Sequence, residues 1–206
     1  MNRRNFSLLA VTGFLGLAAA KPSSASSHQE RLEQKQILTG VFHTIGSGVS
    51  LGGQGNVMDG RFENAIDSQT RIGNGSLTFN ENGFGIAKIL NNKIVQEQDT
   101  SAPYHQRITS EFEFSFRITK TDEILLWIKS GSWKGQVIDG LNNGKTYDVE
   151  LIGDYINNKP HLVGDLSVDG KNIQLTTVEE LLTRIKFSDG SERDEITSCS
   201  INGFKR

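Results

Sequence analysis

Arg107-Ile108-Thr109-Ser110-Glu111-Phe112-Glu113-Phe114-Ser115-Phe116-Arg117-Ile118-Thr119 is the stretch that decides the fold. Ile108, Ser110, Phe112, Phe114, Phe116 and Ile118 recur at every second position, and charged or hydroxylated residues fill the places between them. Successive side chains of an extended chain point to opposite faces, so this pattern describes one long antiparallel strand with a dry side and a wet side. The same period returns on both sides of it. Ile124, Leu126 and Ile128 form a shorter stripe opposed by Leu125 and Trp127, and Tyr147, Val149, Leu151, Gly153 and Tyr155 form another. Asn80-Glu81-Asn82-Gly83, Asn91-Asn92, Asn142-Asn143-Gly144, Asp169-Gly170 and Asp189-Gly190 supply residues that tolerate positive φ, so they read as hairpin turns between strands.

The expectation is an all-β protein: an antiparallel meander closed into a barrel of about 8–10 strands, because closure removes the exposed edges of a long sheet. A two-sheet β-sandwich is the alternative. No strand alternates with a long amphipathic helix, which argues against a parallel α/β sheet. Ser27-His28-Gln29-Glu30 forms a capping box ahead of Leu32, so 26–36 reads as a polar lead-in or short N-terminal helix before a single domain at 37–206. Thr177 and Glu180 form a second capping box, and with Val178, Leu181 and Leu182 they suggest one helix turn flanking a barrel end.

The N-terminus reads as an address. Arg3-Arg4-Asn5-Phe6, the apolar run from Leu8 to Ala20 and then Lys21-Pro22-Ser23-Ser24-Ala25 resemble a twin-arginine export signal at 1–25, with cleavage after Ala20 or Ala25. Ser7 stands where that class favours leucine, and general secretion is the other route. The apolar run is about 13 residues, short of the roughly 20 that a membrane helix needs. The expected location is therefore the bacterial periplasm or the medium. Cleavage after Ala20 takes Arg3 and Arg4 and no acid from 22 basic and 24 acidic side chains. That leaves 20 against 24, a formal charge of −4 that does not suit a nucleic-acid partner. Cys199 is the only cysteine, so no intrachain disulfide can form.

Several motifs imitate chemistry without its structural setting. Gly48-Val49-Ser50-Leu51-Gly52 fits the spacing of a nucleophile elbow, but Gly53-Gln54-Gly55 follows it where a helix is required, so it reads as part of a glycine-rich loop at 46–60 over a barrel mouth. Gly140 to Thr146 resembles a phosphate loop one residue short and leading into a strand. Asp165 to Gly170 starts like a calcium loop, but Thr176 stands where a bidentate Glu is needed. His28, His43, His105 and His161 show no metal-ligand spacing, so neither a metal nor a cofactor is expected. Glu111 and Glu113 share a strand face, where paired carboxylates suit acid–base work or, more simply, solvation of the outer face.

The remaining candidate is the aromatic stripe. If the dry face points into a barrel that is not filled, Phe112, Phe114, Phe116, Ile124 and Tyr147 line a cavity for a small apolar or amphipathic molecule. Trp133, after Ser130-Gly131-Ser132, and Tyr104-His105, after Pro103, would rim its mouth or anchor turns. A packed core is the competing reading. Ile37-Leu38-Thr39-Gly40-Val41-Phe42 ahead of such a meander resembles the start of a calycin (lipocalin-like) barrel, with Phe42 in place of the tryptophan that closes the barrel base. The stretches Gly75 to Gly85 and Leu182 to Cys199 are similar to hairpins of small exported bacterial barrels, allene-oxide-cyclase-like ones included. The resemblance is architectural and assigns no residue a role. Three functions are left in competition. One is an exported binder of a small apolar or amphipathic ligand. The second is a cyclase or isomerase acting on a hydrophobic substrate, with Glu113, Tyr147 or His105 as its polar groups. The third is an envelope interaction domain with a packed core.

Overall fold

The computed structural model describes residues 38–56, 61–97, 102–152 and 159–206; the export signal expected at 1–25, the lead-in expected at 26–36 and the pair Gly153 and Tyr155 lie outside them. Eleven strands follow: β1 (Gly40–Asn56), β2 (Arg61–Phe79), β3 (Phe84–Glu97), β4 (Tyr104–Ile118), β5 (Glu123–Ile128), β6 (Trp133–Gly140), β7 (Thr146–Leu151), β8 (Leu162–Leu166), β9 (Asn172–Thr177), β10 (Leu181–Phe187) and β11 (Glu192–Phe204). All pair antiparallel in one sheet, and the sheet returns on itself through β1 and β11. Ring closure, not two facing sheets, therefore removes its edges.

The first five strands form the expected meander, after which the order departs from it. β4 is long enough to serve two partners: Gln106–Glu111 pair with β6 and Phe114–Ile118 with β5. β11 divides in the same way, with β10 beside Leu181's partner Thr197 and the residues before it, and β9 beside Ser200–Phe204. Two eight-strand rings result, sharing β1 to β4 and β11. One is completed by β5, β8 and β9, the other by β6, β7 and β10.

The first ring is packed solid. Phe42, Phe79, Phe114 and Phe116 meet mostly edge to face at centroid distances of 5.0 to 5.6 Å or 6.4 Å, and Leu38, Leu77, Ile124, Leu126, Ile173 and Leu175 fill the space around them. Each such side chain contributes about 1.5–3 kcal/mol by leaving water. Close packing depends on Gly85, where a Cβ would collide with the ring of Phe114 on the neighbouring strand. Phe42 closes this end, with the Lys205 ammonium 4.8 Å from its ring centroid and donating to the Thr39 carbonyl at 2.6 Å.

Three local expectations are corrected. Of the loop expected at 46–60, residues 46–56 are instead the distal half of β1, paired to β2 and, as far as Gly53, to β11, while 57–60 lie outside the described residues. Asn91-Asn92 is not a turn but the middle of β3, held between β2 and β4. Thr177 ends β9 and Leu181 begins β10, so only three residues are left between them, too few for the expected helix turn. Among the described residues no helix is long and apolar enough to cross a membrane.

Candidate functional site

The cavity begins with missing side chains. Residues 44, 46, 48, 50 and 52 of β1 share one strand face, and that face carries only Thr44, Gly46, Gly48, Ser50 and Gly52. Opposite Gly46, Gly48, Ser50 and Gly52 stand Ile201, Cys199, Thr197 and Glu195 of β11. The glycines let β11 come close: a Cβ on Gly48 would sit 2.9 Å from the Ser198 carbonyl, and one on Gly52 would sit 2.7 Å from the Asp194 carbonyl and the Glu195 side chain. Glycine in a strand often marks such an approach. Where the packed ring has phenylalanines, the second ring has small residues, and it encloses a cavity of about 130 Å³. That is roughly ten times the room one water requires.

Most of the wall is apolar, with Ile108, Val137, Tyr147, Val149 and Ile185 forming a second buried cluster. The polar groups converge from β3, β4, β7, β10 and β11. Arg193 donates from Nη2 to Glu195 Oε1 at 2.7 Å, and Lys93 Nζ stands 3.8 Å from Glu195 Oε2. Both Lys93 and Glu195 are buried. Burial pulls the Lys93 ammonium below its ordinary value, against the pull of Glu195 in the other direction. Burial alone would raise Glu195, but Lys93, Arg193 and a hydrogen bond from Ser50 together hold its carboxyl low. Thr197 donates to Ser50 at 3.0 Å, and Arg193 lies over the Phe187 ring at 5.3 Å.

Tyr147 closes another side. Its single hydroxyl proton goes to the Thr109 carbonyl at 2.9 Å, so Ser110, 2.9 Å away, donates to its oxygen. Burial pushes the phenol up to about 12, so at neutral pH it is a fixed dipole and not a base. The ring rests on Gly135 of the adjacent strand, where a Cβ would strike it. Cys199 also faces the cavity, with its thiol pushed up to about 11 by burial, and is therefore unreactive as a nucleophile at neutral pH. Two buried donors of the cavity wall have no hydrogen-bond partner among the described residues: Arg193 Nε and Trp133 Nε1.

The residues expected from sequence divide between the two rings. Phe112, Trp133 and Tyr147 line the cavity, whereas Phe114, Phe116 and Ile124 belong to the packed core. Trp133 does not rim an open mouth: it is half-buried against Phe112, with ring centroids 5.3 Å apart. Glu113 and His105 are exposed on the outer face, Glu113 paired with Lys129 at 2.6 Å, so neither reaches the interior. Glu111 pairs outside with Lys88 at 3.4 Å. Compared with known proteins, the chain matches no protein-family model, no curated protein and no solved structure.

Sequence reasoning missed Lys93, Arg193 and Glu195. Half the signal was present, since Arg193, Glu195, Thr197, Cys199 and Ile201 keep period two and all face the cavity. Lys93 comes from β3, and only ring closure carries it to Glu195. Among the described residues no three His, Cys, Asp or Glu side chains converge as metal ligands.

Proposed function

We propose that the protein is an exported carrier that holds one small amphipathic molecule inside the hollow ring. The observation that carries this reading is the coexistence of two rings built from the same five strands, one filled with phenylalanine and one left open. A sequence selected only for packing would fill both, because interiors reach crystal-like density. Mostly apolar walls with a few converging polar groups are the usual composition of a small-molecule site. Export is supported by Arg3-Arg4, the apolar run to Ala20 and the small residues at Ala18, Ala20, Ser23 and Ala25. A closed antiparallel sheet with a hollow half also favours a calycin-like carrier over an interaction domain with a packed core.

The second reading, a cyclase or isomerase, draws on the Lys93 amine, whose affinity for a proton is reduced inside an apolar-walled cavity. Carrier function is the simpler use of the same geometry, because Tyr147 and Cys199 are both held in their neutral forms.

The test uses Trp133 as reporter. Trp127→Phe leaves it the sole tryptophan of the two in the chain. Titration with an apolar fluorescent probe should change Trp133 emission and saturate at one probe per chain. Emission that does not respond, with no probe uptake, would overturn the carrier reading.

A further inference from the structure

We propose that the hollow ring recognises an anionic head group, a carboxylate on an apolar body, with Arg193 and Lys93 as its cradle. This rests on the carrier reading and adds the chemical class of the ligand. Among the described residues, the ionisable side chains that line the cavity are Lys93 and Arg193 against Glu195 alone, one basic group in excess. Such an excess is expensive in an apolar surrounding unless a counter-charge arrives. The hydrogen-bond balance points the same way. Arg193 spends Nη2 on Glu195, while its Nε is buried and has no partner among the described residues. Lys93 stands 3.8 Å from Glu195, beyond hydrogen-bond length, leaving its ammonium donors room for another acceptor. Trp133 Nε1, a donor only, is the other buried atom of the wall with no partner among the described residues.

Every one of these groups gives a proton and none accepts one, so a ligand with a donor head would leave them unsatisfied. A carboxylate offers two acceptor oxygens and the missing charge, and charge-assisted bonds from guanidinium and ammonium are the strong kind. The arrangement also explains why Glu195 is present. It holds the two cations in place in the empty protein and yields part of its hold on Arg193 when a second carboxylate enters. The apolar body then lies along Ile108, Val137 and Val149.

The test compares octanoate, methyl octanoate and octanol on the Trp127→Phe protein, read by Trp133 emission and by calorimetry. Octanoate should bind at least about ten-fold more tightly than its methyl ester, a difference that one charge-assisted hydrogen bond can supply. Lys93→Met should remove that preference while ester binding persists, and Glu195→Gln should tighten octanoate alone, because it removes the competitor for Arg193. Retention of the folded state in each variant is checked by circular dichroism, and the acid-to-ester ratio in the unmutated cavity needs no variant at all. Equal affinity for acid and ester would overturn the head-group inference and leave the carrier reading standing. Failure of all three molecules to bind would overturn both.

Discussion

Replacing Phe114 by Ala should destabilise the protein by about 4–5 kcal/mol, near the top of the range of about 3–5 for removing a core phenylalanine. The ring is almost wholly buried, meets Phe79 at 5.2 Å in an edge-on contact and stands 6.4 Å from both Phe112 and Phe116. Its neighbours cannot close the gap. Phe112 and Phe116 are fixed on the same strand, which is paired on both sides, and Gly85 opposite has no side chain to move inward. Against a total of about 5–15 kcal/mol for a domain, the loss is about a quarter or more of the stability. Urea unfolding followed by tryptophan emission and near-ultraviolet dichroism gives the number from the shift of the midpoint at constant slope. A loss below about 2 kcal/mol would mean that the phenylalanine end is not close-packed, and the contrast between two rings would fail with it.

The other predictions concern the hollow end. Ile108→Phe places extra volume in empty space, so stability should change by less than about 1 kcal/mol, where overpacking a filled core typically costs about 1–3; probe affinity should fall in parallel titrations. Glu195 is held below its ordinary 4.5, so the stability it adds is complete above that value and is lost as pH falls through the lower folded value. Thermal midpoints measured against pH should show this acid-side loss, and Glu195→Gln should flatten it. Tyr147 titrates at about 12 instead of 10, so its contribution is intact below pH 10 and disappears between 10 and 12. A near-ultraviolet absorbance titration should find one of the three tyrosines ionising last, and that late step should vanish in Tyr147→Phe.

The fold was legible where a residue's two-residue period and its burial agree. From Gln106 to Ile118 every even-numbered residue of β4 is buried, with polar Gln106 and Ser110 among them at the hollow end. Local chemistry misled where tertiary pairing overrode it. Glycine-rich 46–56 has the composition of a loop, yet β2 and β11 enforce a strand and use the absent side chains to create the cavity. Asn91-Asn92 has turn chemistry and is overruled in the same way by β2 and β4. The aromatic stripe has a single period but not a single wall, because β4 serves both rings: Phe112 faces the cavity while Phe114 and Phe116 lie in the core. The polar centre escaped because its two halves, Lys93 and Arg193 with Glu195, come from strands that are remote in sequence.

Whether the hollow ring carries a ligand is read by native mass spectrometry of the protein isolated from its own cell without refolding. A carrier should show one small adduct per chain, released by solvent extraction, whose occupancy drops in the Ile108→Phe protein. A clean apo mass for the unmutated chain, with no uptake of an apolar probe, would contradict it.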